Sequence, residues 1–166
     1  MSIFENAVMI KQKKTPLRWA LEIAVLIGAI CAAVAVILFN PFLFASPILI
    51  FIGYYLLHKY NYIEHEYTYI EGQLDIDRIY AKARRRSIAK IDMEDLIIIA
   101  PSGSREVGNY ERDDHITKKN CSSCEPDHKV YDAVYKTDKG TFLIYFEPDE
   151  NMLDLMAVRN PRKIVK

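Results

Sequence analysis

The chain has 166 residues, enough for one ordinary domain and a membrane anchor. Its 22 basic and 22 acidic side chains cancel, which excludes a global electrostatic footprint for nucleic acid. Three cysteines, Cys31, Cys121 and Cys124, exclude a secreted disulfide framework and fit a reducing compartment. Charge is nevertheless segregated: from residue 19 to residue 57 the one charged side chain is Glu22. A soluble domain needs polar positions on every surface element and does not segregate charge in this way.

Residues 1–18 read as an N-terminal flank. Ile3, Phe4, Ala7, Val8 and Ile10 recur at helical spacing, which predicts a short helix lying in a membrane surface or, alternatively, a frayed tail. Thr15-Pro16 offers a cap followed by proline at the first helical position. The apolar block that follows is about twice the roughly 20 residues needed to cross a bilayer, and Asn40-Pro41 divides it. A two-helix transmembrane hairpin is therefore predicted over 19–60. Pro47 is expected to kink the second helix, and the small residues Gly28, Ala29, Ala32, Ala33 and Ala35 to let the helices approach closely. Trp19 near one interface, and the tyrosines at 54, 55, 60 and 62 near the other end of the hairpin, sit where amphipathic rings suit headgroup level. Alternatives are a re-entrant or shallow hairpin, a buried hairpin of a soluble protein, and a cleaved signal peptide, for which the block is too long.

Lys11, Lys13, Lys14 and Arg18 precede the hairpin, Lys59 follows it, and the connection between the helices has no Lys or Arg. The positive-inside rule then places both termini in the cytoplasm of a multi-pass cell-membrane protein. Glu22 lies one turn from Arg18, and the pair is expected to snorkel to the interface.

Residues 62–166 change texture to short alternating runs. Strands are predicted at 66–70, 74–77, 84–91 and 96–99, with a helical turn at 92–95. A long polar loop spans 101–128, with room for a short strand or helix. Val130–Lys136 and Thr141–Phe146 read as a hairpin around Asp138-Lys139-Gly140. Glu147-Pro148-Asp149-Glu150 opens a final helix with an apolar face of Met152, Leu153 and Met156, ended by Asn160-Pro161. Six or seven antiparallel strands and one amphipathic helix are expected.

Two apolar helices, then Tyr67-Thr68-Tyr69-Ile70-Glu71-Gly72-Gln73-Leu74-Asp75-Ile76, a basic strand and a closing helix resemble bacterial membrane proteins with pleckstrin-homology-like domains. Tyr145-Phe146-Glu147-Pro148 and Asn160-Pro161-Arg162-Lys163 also resemble an uncharacterised bacterial family of small two-helix membrane proteins. The resemblance implies a membrane α-helical hairpin plus an α+β, mostly β domain: a split antiparallel barrel capped by a C-terminal helix. It implies no activity and supplies no functional residues.

Two groups of side chains are candidates for chemistry. Arg78, Lys82, Arg84, Arg85, Arg86 and Lys90 form a basic run without an intervening acid. Such residues gain roughly 1 kcal/mol each from an anionic leaflet nearby. They point to contact with anionic lipid or an acidic protein partner; the bland reading is a solvated face. His115, Cys121, Cys124 and His128 supply the ligand types of a tetrahedral zinc site, against which stand the absence of a second knuckle and the small loop. Glu111, Asp113, Asp114 and His115 read as a charged loop. No nucleophile elbow or phosphate-binding glycine loop is present.

The expected function is a membrane-anchored, non-enzymatic interaction module whose partners are the lipid bilayer and a protein or its own copies, not nucleic acid. The alternative is a metal-binding sensor or hydrolase built on the His115/Cys121/Cys124/His128 loop.

Overall fold

The computed structural model describes residues 5–39 and 45–166. The predicted Asn40-Pro41 reversal lies outside them. The chain divides into two compact units. One holds the residues before Lys14 together with Glu64–Ile79 and Arg84–Lys166; the other holds Lys14–Ile63 and Tyr80–Ala83.

The helical unit consists of α1 (Pro16–Phe39) and α2 (Ala45–Tyr60). The Thr15 carbonyl accepts the first helical bond, from the Trp19 N–H at 3.1 Å, so Pro16 occupies the first helical position as predicted. Pro47 does not kink α2. It is the third residue of that helix, where no internal N–H bond is due. Nor does Gly28 mark a close approach, because a methyl group added there would meet nothing within 4 Å. The polar end of the pair is held instead by Glu22. Its buried carboxylate receives Lys14 Nζ at 2.7 Å and Asn61 Nδ2 at 2.8 Å, and lies 3.3 Å from His58 Nδ1. The expected Arg18 partner is thus replaced by Lys14, and Glu22 links the start of α1 to the end of α2. Along its apolar stretch α1 is 11 % buried. Trp19, Leu21, Ile27, Ile30 and Leu38 on α1, and Ile48, Leu49 and Phe51 on α2, are exposed.

The β unit contains eight strands among the described residues. β1 (Glu5–Lys11), β2 (Ile63–Ile70), β3 (Gln73–Tyr80) and β4 (Arg84–Asp92) form one sheet in that order. β5 (Leu96–Pro101), β6 (Thr117–Asn120), β7 (Tyr131–Thr137) and β8 (Gly140–Phe146) form a second, ordered β5-β7-β8-β6. The N-terminal segment is therefore a strand, not a surface helix or a tail. β1 runs antiparallel to β2, with Val8 opposite Tyr67 and Lys11 opposite Glu64. Period-two alternation within this strand puts Val8 and Ile10 against the core and leaves Met9 exposed. The helical spacing read from the sequence borrowed Ile3 and Phe4, which lie outside the described residues.

The core lies between the inner faces of the two sheets, where Tyr67, Tyr69, Leu74, Ile76 and Ile91 meet Ile99, Ala133, Ile144 and Phe146. The closing helix α4 (Glu150–Arg159) adds Met152, Leu153 and Met156. Its cap is Asp149, whose carboxylate accepts the Met152 N–H at 2.8 Å and Asn6 Nδ2 at 2.8 Å. Glu147 and Pro148 thus precede the helix rather than forming its first turn.

The architecture differs from the expected all-antiparallel split barrel in two respects. The sheets are separate four-stranded sheets, not a closed barrel. The polar 101–128 stretch holds a short helix, α3 (Gly108–Arg112), and β6, which pairs with β8 in parallel. A parallel neighbour requires a crossover rather than a tight turn, and the long polar stretch supplies it.

Glu71 and Gly72, between β2 and β3, have φ of 50° and 98°. Two left-handed residues in a two-residue hairpin fit the twist of the flanking strands. Gly72→Ala is expected to cost about 1 kcal/mol, since φ near +98° strains any side chain. Gly108→Ala, at an open helical position, is expected to be neutral or stabilising. Thermal unfolding of the two variants in one detergent checks both.

Candidate functional site

The six basic residues separate into distinct roles. Arg78, on β3, is a tie within the fold. Its Nε donates to His65 Nε2 at 2.9 Å and its Nη2 to the Asn120 carbonyl at 3.0 Å, joining the first sheet to the end of β6. Arg85 pairs with Glu66 and lies 3.4 Å from Asp77, and Lys90 lies 3.5 Å from Asp75. These acids alternate along β2 and β3 with the core residues, so they sit on the outer face and offset part of the basic field.

Lys82 differs. With Ala81 it forms the β3–β4 turn, and the two have φ of 56° and 53°. Left-handed backbone costs a non-glycine residue roughly 1–2 kcal/mol. Lys82 Nζ lies 5.1 Å from the centre of the Tyr62 ring, and the Ala81 N–H bonds the Tyr62 carbonyl at 2.8 Å. This basic turn is therefore docked two residues beyond the end of α2. Arg84 and Arg86 follow directly, both exposed and without an ion-pair partner among the described residues.

His65 is wholly buried, and burial together with the Arg78 charge depresses its pKa to about 4. The neutral ring accepts from Arg78 through Nε2, which assigns its proton to Nδ1.

The four metal-ligand candidates do not converge. Cys121 is buried in the core, and burial raises its thiol pKa. Cys124 is exposed, with φ of 62°. His115 is exposed beside Asp113, whose carboxylate accepts its backbone N–H at 2.9 Å. His128 turns away from the thiols: its Nδ1 lies 3.0 Å from Glu147 Oε2. Among the described residues no group of three or more His, Cys, Asp or Glu side chains is placed to hold a metal ion.

His128 belongs to a constellation that spacing did not reveal. Buried Glu147 accepts the Ser123 N–H and the Ser123 hydroxyl, both at 2.8 Å, while His128 Nδ1 lies 3.3 Å from Ser123 Oγ. Serine, histidine and carboxylate are thus adjacent. Yet Ser123 is 1 % exposed, and hydroxyl and carboxylate share one ring nitrogen while Nε2 faces Glu125 at 3.6 Å. A nucleophile needs the other ring nitrogen as its base and an open approach. The cluster instead fastens the 121–128 loop to the end of β8. The Lys13 N–H to the Ser123 carbonyl at 2.8 Å extends this fastening to the chain after β1. The hydrogen bond from His128 to Glu147 raises the His128 pKa, outweighing its desolvation.

Two sheets, a helix closing the core and docked surface turns without a converged catalytic centre among the described residues define a pleckstrin-homology-like domain. The chain belongs to the family described as Bacterial PH-like domain (DUF6106), whose model matches residues 5–166. No curated protein matches it.

Arg78→Met would strand the buried His65 ring and the Asn120 carbonyl, at an expected cost of about 2–3 kcal/mol. Arg84→Ala should stay within about 0.5 kcal/mol. Denaturant titration separates the two. For His65 the unfolded ring binds protons more readily than the folded one. Its share of stability is complete above about pH 6.5 and falls as pH drops towards 4, by up to about 3 kcal/mol. A pH series from 7 to 4.5 is expected to slope downward in the native chain and less steeply in His65→Gln.

Proposed function

We propose that this protein is a membrane-anchored interaction module. Its helical pair lies in the bilayer, and its β unit docks against the cytoplasmic leaflet and a protein partner.

The observation that carries this reading is the position of the helices between two paired strands. Lys11 and Glu64 are cross-strand neighbours, so the chain leaves the sheet into α1 and returns from α2 at one place. At 1.5 Å per residue, the 24 residues of α1 reach roughly 36 Å, enough for a hydrocarbon layer of about 30 Å. The 16 residues of α2 reach roughly 24 Å. Exposed Leu, Ile, Phe and Trp side chains on both helices suit hydrocarbon, not water. A chain that crosses on α1 must come back for β2 to meet β1, which makes α2 the return leg. The basic flank around Lys11–Arg18 favours the cytoplasm for both ends.

The lipid-facing segment is then the β3–β4 turn, whose residues 80–83 belong with Tyr62 to the helical unit. Lys82, Arg84 and Arg86 are its contacts, whereas Arg78, Arg85 and Lys90 are engaged within the fold. PH-like domains are commonly binding modules, which agrees with this reading.

Alkaline carbonate washing of membranes carrying the intact protein tests the anchor: retention in the pellet is expected, and release to the supernatant would refute it. Amide exchange of the intact protein in nanodiscs tests the turn. Residues 80–86 should be better protected on anionic than on zwitterionic lipid, and the difference should vanish near 1 M salt, where the Debye length is about 3 Å. Equal exchange on both lipids would leave the protein partner as the sole ligand of this face.

A further inference from the structure

Strand β7 of the second sheet is buried on both faces along Tyr131–Tyr135, and on the outer face lies a small apolar cluster of Ala100, Val107, Val134 and Leu143, with Tyr110 and Ile116 against it. Val107, Tyr110 and Ile116 belong to the segment 102–116, which therefore covers this face. Within that cover is one polar anchor to the sheet. Asp132, on β7 opposite Ala100 and Tyr145, is wholly buried, and neither of its carboxylate oxygens has a hydrogen-bond donor. The group against it is another acceptor, the carboxylate of Glu111 on α3. Glu111 is fixed in place by the Gly103 N–H at 2.8 Å and the Ser102 hydroxyl at 3.2 Å. Two carboxylates in apolar surroundings repel unless one of them is protonated, in which case the proton becomes the missing donor.

We propose that Asp132 and Glu111 share a single proton that latches the 102–116 segment onto the outer face of the second sheet, and that losing this proton to solvent releases the segment and bares the apolar cluster. Glu111 faces Asp132 from α3, Ser102 from the preceding loop and the Tyr145 ring from β8, while β5 brings Ala100; Arg112 is the cation next to Glu111. The charge distribution agrees with the latch. Desolvation and the neighbouring Glu111 push Asp132 up to about 7. Burial also pushes Glu111 up, but the bonds from Gly103, Asp132 and Ser102 and the Arg112 charge outweigh it, so Glu111 is lowered and is the ionised member. An acid raised by folding contributes stability that is complete at low pH and lost as pH rises through its folded value. The latch is therefore strongest below about pH 4, weakens as pH rises towards 7, and has lost the proton's contribution above that. This inference is independent of the membrane reading, since every residue in it belongs to the β unit.

The test is amide hydrogen exchange of the intact protein in detergent across pH 5.5 to 8.5, corrected for intrinsic rates. Protection of amides 105–116 is expected to fall, by up to about tenfold for each pH unit, between pH 5.5 and 7 and to level off above, while amides of β2 and β3 hold steady. In Asp132→Asn, whose amide donates at every pH, that slope should vanish. If this variant does not fold, Glu111→Gln serves instead, because it removes the second charge and leaves Asp132 in place. A pH-independent native segment, a slope shared equally by β2 and β3, or a slope that survives substitution would each overturn the proposal.

Discussion

Everything in this fold is conditioned by one pairing: β1 lies against β2, although two long apolar helices separate them in the chain. Seven cross-strand pairs, from Glu5 with Ile70 to Lys11 with Glu64, fix the register. A one-residue slip would send Val8 and Ile10 to the outer face and Met9 into the core. The core side of β1 is secured further by Asn6 on the α4 cap and by Lys13 on the Ser123 carbonyl. The helical pair is thus an insertion in a β-hairpin. Its entry and exit are tied together by the sheet, and Glu22 ties them again within the helical unit through Lys14, His58 and Asn61.

The same economy governs the polar groups of the β unit. Half of the basic run that reads as a binding surface, Arg78, Arg85 and Lys90, is engaged within the fold. Arg78 donates both to the neutral buried His65 and directly to the Asn120 carbonyl, and Glu147 holds Ser123 and His128. The basic residues outside these ion pairs, Lys82, Arg84 and Arg86, lie at and beside the β3–β4 turn.

Much of the architecture was legible in the sequence because it rests on periodicity. Alternation in Leu74-Asp75-Ile76-Asp77, the Asp-Lys-Gly turn between β7 and β8, and the Met152/Leu153/Met156 stripe each appear where the pattern places them. β1 was missed because the short apolar run Ala7-Val8-Met9-Ile10 within it also satisfies a helical spacing, and its partner lies over fifty residues downstream. The short parallel β6 has no apolar pattern at all: Thr117-Lys118-Lys119-Asn120 is a strand only because β8 offers an edge. Likewise, spacing suggested a zinc knuckle at residues 115–128, yet it could not reveal that Cys121 faces the core and His128 faces Glu147. The Asp132–Glu111 pair was also hidden, since a single Asp within Tyr131-Asp132-Ala133-Val134-Tyr135 reads as a solvent-facing strand position. Only the cover formed by 102–116 turns that face inward.

The central claim is that a bilayer-embedded pair of helices interrupts a β-hairpin whose two strands stay together on the cytoplasmic side. Single-cysteine accessibility in intact bacterial cells tests it most directly, in a background with Cys31, Cys121 and Cys124 replaced. The account predicts that Ser2→Cys and Asp138→Cys react with an impermeant maleimide only after the cells are opened, and that Asn40→Cys reacts before. Labelling of positions 2 and 138 from opposite sides, or of both in unopened cells, would contradict it.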